Sequence, residues 1–401
     1  MLGRELVRPL EEDWRDVLDR IARRRGWPAS ADVARLGAKV SELSAAYNDP
    51  ARARAAVREA GAARLGFSFP RDVPKGAAAV RELVATGTLP VRGLRVLDIG
   101  AGLGTTTWGV ARALEAAGGQ GMVDATWVDP DASALEIGAA IVAERRDLGS
   151  VRVQARTMNR TTSTLDDLGR FDLVLAGQLL SELDVGEPED ARVQRHAALL
   201  GVWLERRVEP DGALVVVEPA LRDRTRHLHR VRDVLVAAGA TVFAPCLHSA
   251  GCPALARETD WCHEDLDVDM PGWLVPVARA AGLRREGLTF SYLVLRKDGR
   301  RLVDAVAAAP GVSRLRVVSA AMPSKGKREA FLCGELRDAN GAPVAGRVKA
   351  ARLDRDASEA NDDWDRIGRG DIVFTSRAIE RDRARIDRDT ELNLAGDAES
   401  D

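Results

Sequence analysis

The chain has 401 residues, 45% of them hydrophobic and 30% charged, with a formal net charge of −2. This length allows two domains, or one large domain with extensions, and no run of 18 apolar residues could form a transmembrane helix. The charged N-terminus lacks the apolar core of a signal peptide, so we expect a cytoplasmic protein whose four cysteines are not paired in disulfides.

Residues 1–90 are predicted to form an N-terminal helical extension. Their apolar residues recur at spacings of three and four, namely Leu10, Trp14, Val17, Leu18 and Ile21, and then Val33, Leu36, Val40 and Leu43. The simplest interpretation is a helical cap on the sheet that follows. The alternative is an extension that binds substrate.

The next feature is an apolar strand that runs into a turn with three glycines at alternate positions, Gly100, Gly102 and Gly104. Glycine has no Cβ, so the chain can turn tightly and a bulky ligand can approach its backbone. Residues 105–117 have helical character, and a helix that begins there would direct free N–H groups at that ligand. Asp98, at the strand end, would either orient the turn and contact the ligand through water or only cap the turn backbone.

A second acid, Asp129, ends another apolar segment 25 residues beyond Gly104. An acid at the end of a second strand can accept hydrogen bonds from ribose hydroxyls. Apolar segments at 151–155, 171–176 and 213–218 fit further strands of one parallel sheet, so residues 91–240 are predicted to form a doubly wound, Rossmann-like α/β domain. The G-x-G-x-G spacing resembles class I S-adenosylmethionine-dependent methyltransferases more than the G-x-G-x-x-G dehydrogenases, which implies S-adenosylmethionine as the ligand.

The segment after the predicted fourth strand is where a methyl acceptor would bind. Amino-methylating enzymes resemble one another there in an Asn or Asp followed by Pro-Pro and an aromatic residue, which grips a flipped base. This sequence has Gly-Gln178-Leu-Leu-Ser181-Glu182, and it has no cysteine before position 246 to serve as a nucleophile. Gln178 is an expected cofactor-binding residue, and Gln178, Ser181 and Glu182 could line an acceptor pocket. The leucines among them also fit an ordinary helix start, so no catalytic residue is identified.

The C-terminal third is polarised in charge. Residues 276–352 carry 16 Lys and Arg against 6 Asp and Glu, whereas residues 353–401 carry 8 against 15. We predict a cysteine-bearing loop and a basic β-rich module over residues 241–375, and a charged, disordered tail over residues 376–401. The basic module and a helix at 221–231 would suit contact with RNA phosphates, although charged stretches are usually solvated faces.

All four cysteines lie in this C-terminal part, as Cys246, Cys252, Cys262 and Cys333. The spacing is not that of a zinc ribbon, yet four thiolates can complete one tetrahedral metal site or hold one iron–sulfur cluster. The alternative is that the cysteines are buried as small apolar residues. Nearby prolines and Gly251 favour a constrained loop.

The glycine turn, the Pro-Cys246-x-His-x3-Cys252-Pro loop, the Trp261-Cys262-His263 segment and the Phe290–Leu295 strand together resemble the bacterial and mitochondrial small-ribosomal-subunit methyltransferase-like family, over roughly residues 60–375. The resemblance implies a four-iron four-sulfur cluster on the four cysteines, with zinc as the alternative. Such a cluster would hold the basic module against the core. The two nearby histidines would then support the ligands rather than replace them.

Three functional hypotheses follow. The first is an S-adenosylmethionine-dependent methyltransferase that acts on rRNA or a protein of the small ribosomal subunit. The second is a non-catalytic assembly factor that binds rRNA with the same fold and cluster. The third, a small-molecule methyltransferase, is opposed by the basic module. In each case we expect a monomer that does not contact a membrane.

Overall fold

The computed structural model of the protein describes residues 1–47, 60–91, 93–145, 149–283, 287–306, 313–380 and 384–395. Within these ranges lie one sheet of eight strands and one of seven. Helices precede and flank the first sheet. None of the described helices has both the length and the apolar character needed to cross a bilayer.

The N-terminal region is helical, with α1 (Glu12–Arg24), α2 (Val33–Tyr47) and α3 (Phe69–Ala85). A short helix, Gly61–Ala63, and a π-helical turn, Arg64–Ser68, lead directly into α3. The apolar side chains of α1 are buried, and Trp14 packs edge-on against Trp108 with 5.0 Å between ring centroids. Because one apolar cluster contains both α1 and the sheet, the extension is part of the main core.

The first sheet contains β1 (Leu94–Ile99), β2 (Gly121–Asp129), β3 (Val151–Asn159), β4 (Phe171–Gly177), β5 (Val208–Glu218), β6 (Thr241–Ala244), β7 (Glu264–Leu266) and β8 (Leu288–Arg296). The order is β3-β2-β1-β4-β5-β8-β6, and β7 pairs with β8. β8 runs antiparallel to its neighbours. Flanking helices are α4 (Thr105–Ala116), α5 (Ala132–Arg145), α6 (Glu189–Arg207) and α7 (Arg222–Ala237). This is a class I methyltransferase-like α/β fold with a mixed sheet, as the glycine turn predicted.

One boundary differs from the expected one at residue 240. β6, β7 and β8 all belong to the first sheet, although the sequence places them in the cysteine loop and β-rich module. β8 pairs with β5 along one edge and with β6 along the other, and Tyr292 to Leu295 are all buried, so both of its faces are covered as well. Its pairing partner β5 ends about 70 residues earlier in the chain, which is why local patterning does not reveal the connection.

The second sheet begins after α8 (Val275–Ala280) and α9 (Leu302–Ala305). Its strands are β9 (Ser313–Val317), β10 (Met322–Ser324), β11 (Lys327–Arg337), β12 (Pro343–Leu353), β13 (Ile372–Thr375), β14 (Arg385–Ile386) and β15 (Leu392–Leu394). The order is β14-β12-β11-β9-β13-β15, with β10 beside β11. Trp364 is fully buried in a separate apolar cluster on this sheet.

The tail expected to be disordered over residues 376–401 is ordered in part. β14 and β15 pair with β12 and β13, and the apolar side chains of Ile386, Leu392 and Leu394 are buried. These three side chains are enough to anchor the segment to the sheet edges despite its high charge. Residues 396–401 lie outside the described residues.

A buried ionic network joins the two sheets through α3. Arg316 of β9 pairs with Glu82, which also accepts a 2.7 Å hydrogen bond from the Tyr292 hydroxyl. Arg81 pairs with Glu264 of β7 at 2.9 Å. Each of these side chains is almost completely buried, so each charge depends on its partner.

Candidate functional site

The candidate site is a cavity of about 430 Å³ at the carboxyl ends of β1, β2 and β4. The strand order reverses between β1 and β4, and ligands of doubly wound sheets bind at such a switch point. The lining includes Gly100, Gly102 and Asp129, so we call it the glycine-turn cavity. The turn therefore brings the predicted residues of β1 and β2 together.

The glycines of the turn have different roles. Gly102 lines the cavity at φ +53°, and a Cβ there would lie 2.7 Å from the Arg64 guanidinium. Gly104 does not line it. Its φ is +77° and a Cβ would lie 2.1 Å from the Trp127 ring, so Gly104 permits the close packing that starts α4 at Thr105.

Asp129 lies in the cavity wall and ties the turn to β2. Its Oδ2 accepts a 2.9 Å hydrogen bond from the Gly102 N–H, and Oδ1 accepts one of 2.8 Å from the Asp131 N–H. Burial raises the pKa of Asp129 above its usual value. Since a carboxylate oxygen can accept more than one hydrogen bond, Asp129 keeps the capacity to bind hydroxyls.

Asp98, expected as a possible cofactor-binding residue, is not among the residues that line the cavity. Its Oδ2 accepts hydrogen bonds from the Thr107 hydroxyl at 2.7 Å and from the Thr107 N–H at 3.3 Å. Burial raises the pKa of Asp98 to about 7. These contacts favour the capping interpretation, because Asp98 holds the first turn of α4, and a contact with the ligand through water stays a prediction.

The turn after β4 is where the sequence predicts the acceptor side of the cavity. Gln178 and Glu182 line the cavity, whereas Ser181 does not. Instead, the N–H groups of Leu180 and Ser181 donate to the Glu218 carboxylate at 2.8 and 3.2 Å. Burial raises the pKa of Glu218 to about 7. Glu218 thus fixes the conformation of the turn after β4, a role that the sequence did not predict.

The π-helical turn and the start of α3 supply another wall that the sequence did not predict. Arg64, Phe69, Arg71 and Asp72 all line the cavity. Asp72 accepts hydrogen bonds from Arg71 at 2.8 and 2.7 Å and from the Gln178 amide at 3.4 Å. The three charged residues within 64–72, about 20 residues before the first strand, are the sequence signal for this wall.

The four cysteines line one second cavity, the cysteine cavity, although Cys333 lies on β11 and the other three follow β6. All four thiols are free, and Cys333 Sγ lies 3.7 Å from His248 Nε2. Burial raises the pKa of Cys262 to about 12 and that of Cys333 well above its usual value. Among the described residues, no group of three or more His, Cys, Asp or Glu side chains is arranged to hold a metal ion. The structure thus shows a thiol-lined cavity, and a metal-bearing loop is not shown.

Three basic side chains of α7 contact the cysteine loop, and the contact of this helix with RNA stays a prediction. Arg226 donates to the carbonyls of residues 254, 257 and 260, and Arg232 donates to the His248 carbonyl at 2.8 Å. His229 contacts the Cys262 carbonyl at 3.0 Å. These hydrogen bonds brace the loop from within the fold, so this helix has fewer free cations than its sequence indicates.

Several solved structures align with this chain at low similarity. A Listeria monocytogenes protein assigned as a class I S-adenosylmethionine-dependent methyltransferase aligns with TM-score 0.38 and 14% identity, covering 71% of this chain and 86% of its own. An Agrobacterium tumefaciens S-adenosylmethionine-dependent methyltransferase aligns with TM-score 0.34 and 16% identity, over 59% and 65%. A Pyrococcus horikoshii protein assigned as an RNA methyltransferase gives 0.31 and 14%, over 55% and 84%. These TM-scores are too low to support a fold assignment. The assignment of the fold rests on the strand order of the first sheet.

No curated protein matches the sequence. A family model described as mitochondrial small ribosomal subunit Rsm22 matches residues 84–347, from the end of α3 to the middle of β12. The match covers more than half of the chain and includes the glycine turn and all four cysteines, whereas the cavity wall at residues 64–72 lies outside it. It confirms the resemblance found in the sequence, while the cytoplasmic location stays a prediction. The chain belongs to the family described as mitochondrial small ribosomal subunit Rsm22.

Proposed function

We propose that this chain binds S-adenosylmethionine in the glycine-turn cavity and methylates rRNA or a protein of the small ribosomal subunit. The observation that carries this proposal is the cavity at the switch point, where the glycine turn and Asp129 meet. The family of the chain supplies the ribosomal partner.

The residues of the cavity fit that ligand. Four carboxylates and three guanidinium groups line it, namely those of Asp72, Asp129, Asp131, Glu182, Arg64, Arg71 and Arg160. An excess of carboxylates suits S-adenosylmethionine, whose sulfonium and ammonium groups outnumber its single carboxylate. Asp129 would accept hydrogen bonds from the ribose hydroxyls, and the backbone of Gly100 and Gly102 would lie against the ligand.

Bound S-adenosylmethionine supplies an activated methyl group on its sulfonium. The part of the protein is to align an acceptor with that group and to exclude water. Gln178 and Glu182 line the cavity at the end of β4, and Asp72 and Glu218 fix the conformation of this turn. We propose these two lining residues as contacts of the acceptor.

A non-catalytic assembly factor is the second candidate, and one observation favours it. No cysteine, histidine or lysine is among the residues that line the glycine-turn cavity. The acceptor side therefore offers Glu182 as its nearest candidate for a general base. A protein that only binds the donor and rRNA would not need a stronger general base.

We further propose that the cysteine cavity holds a four-iron four-sulfur cluster on Cys246, Cys252, Cys262 and Cys333. Four thiols around one enclosed space are the ligand set of such a cluster. Zinc on the same four thiols is the alternative. Buried thiols with raised pKa values need a cationic centre to ionise, and the Arg232 guanidinium lies beside them.

Two experiments test these proposals. Purified immature small subunits are incubated with the protein and S-adenosylmethionine labelled in the methyl group. Label transferred to rRNA or protein supports the methyltransferase, whereas binding of the particles without transfer supports the assembly factor. Anaerobic purification followed by metal analysis tests the cluster: about four irons per chain with absorbance near 400 nm support it, and one zinc in a colourless protein refutes it.

A further inference from the structure

The π-helical turn places one arginine directly over the glycine turn. Arg64 Nη2 lies 2.7 Å from the position of a Cβ on Gly102, and Nη1 donates to Asp131 Oδ2 at 2.9 Å. Both side chains line the glycine-turn cavity and are mostly buried. π-Helical turns within helices often occur at functional sites, because the extra residue reorients neighbouring side chains.

Arg64 differs from the other two arginines of the cavity in its partners. Arg71 pairs with both oxygens of Asp72 through Nε and Nη2, and Arg160 donates from Nη1 to both oxygens of Asp167. Arg64 contacts one oxygen of Asp131, whose other oxygen accepts the Ala134 N–H at the start of α5. The fork of Arg64 is therefore not matched by a bidentate carboxylate, and its second nitrogen points to the floor of the cavity.

We propose that Arg64 binds the carboxylate of the amino-acid group of the methyl donor. This inference rests on the proposed function, since it assigns a residue to one end of that ligand. The carboxylate is the only anionic group of S-adenosylmethionine, and a guanidinium is the side chain that binds carboxylates with two parallel hydrogen bonds. On binding, the ligand takes the position over Gly102, and Arg64 shares or exchanges its contact with Asp131.

The test compares two ligands that differ only at this end. S-adenosylhomocysteine has the amino-acid group, whereas 5′-methylthioadenosine has the same adenosine and thioether without it. Calorimetry measures both affinities for each variant. The readout is the affinity for S-adenosylhomocysteine divided by the affinity for 5′-methylthioadenosine. Arg64→Ala is expected to lower the ratio by about 10- to 100-fold, which corresponds to the loss of a charged hydrogen bond. Arg64→Lys is expected to lower the ratio less, because lysine keeps the positive charge.

A second variant predicts a change in the opposite direction. Asp131→Asn removes the charge that competes for Arg64 while keeping a side chain that can cap α5, so the ratio should rise several-fold. Arg35→Ala is the matched control, because Arg35 forms an ordinary exposed pair with Asp32 and is not among the residues that line the cavity. It should leave the ratio unchanged.

The outcomes separate this inference from the proposed function. If the unmodified protein binds neither ligand, the donor site is wrong and the role of Arg64 falls with it. Both ligands could instead bind to the unmodified protein, with Arg64→Ala lowering the two affinities equally or changing neither. In that case Arg64 does not bind the carboxylate, and the donor site itself is still supported. Thermal melting of each variant shows that a lost affinity does not come from unfolding, and Arg64→Lys and Asp131→Asn keep the test decisive should Arg64→Ala fail to fold.

Discussion

Gly104 shows how one missing side chain makes the turn possible, and the effect can be measured against a second glycine. Gly104 and Gly118 share a φ of +77°, but a Cβ would meet Trp127 at 2.1 Å in the first case and nothing within 4 Å in the second. We expect Gly104→Ala to lower the free energy of unfolding by about 2–5 kcal/mol, because it adds both left-handed backbone strain and overpacking. Gly118→Ala adds the backbone strain alone and should lower it by about 1–2 kcal/mol. Urea unfolding measures both, and equal losses would show that the contact with Trp127 relaxes freely.

Asp98 makes the stability of the core depend on pH. Its folded pKa of about 7 lies above the usual value of 3.8, so between these values the folded state binds more protons than the unfolded state. This contribution to stability is complete below pH 4 and is lost as the pH rises through 7. Asp98→Asn cannot titrate and is expected to flatten the pH dependence of the unfolding free energy from pH 4.5 to 7.5. An unchanged slope would mean that Asp98 is ionised in the fold.

At the scale of elements, the sequence predicts those features that depend on residues close together in the chain. The periodic apolar residues of α1 and the glycine turn between β1 and α4 depend on neighbours a few positions away, and the structure has them where expected. Asp129 reaches the cavity for the same reason, because parallel strands end at the same edge. The membership of β8 in the first sheet, the wall around Arg64 and the internal use of the α7 arginines depend on contacts between distant segments. Composition and spacing carry no information about those contacts.

The contact of α3 with β9 is one such long-range contact, and its energy can be tested. Removing either partner of the buried Arg316–Glu82 pair leaves the other charge with only a longer ion pair, Arg81–Glu82 at 3.6 Å or Arg316–Glu264 at 3.7 Å. We expect Glu82→Gln and Arg316→Met each to cost about 3–5 kcal/mol, and the double variant to cost less than their sum. The exposed Lys39–Glu42 pair is the control, where Lys39→Met should cost only about 0.2–1 kcal/mol. Strict additivity of the buried pair would contradict a direct interaction.

At the scale of the whole molecule, the cysteine cavity lies where the two sheets meet. Cys333 belongs to β11 of the second sheet, and Cys246, Cys252 and Cys262 belong to the segment between β6 and β7 of the first. The buried network of Glu82 and Arg316 joins the same two sheets independently. A centre bound by all four thiols would therefore add a second connection to one that the protein already has.

If the proposed cluster is present, removing its iron should loosen the second sheet without unfolding the first. We expect hydrogen exchange to accelerate in β11 and β12 when the anaerobic protein is treated with a chelator, while β1 and β2 keep their protection, because unprotected amides report local opening. Cys333→Ser should show the faster exchange before any chelator is added and should change little afterwards. Ser319→Ala, which removes a hydroxyl bonded to the Phe331 N–H on the same strand, is a control for local damage and should still respond to the chelator. If Cys333→Ser exchanges like the unmodified protein in both conditions, the late thiol does not connect the sheets through a metal centre, and the four-cysteine cluster is wrong.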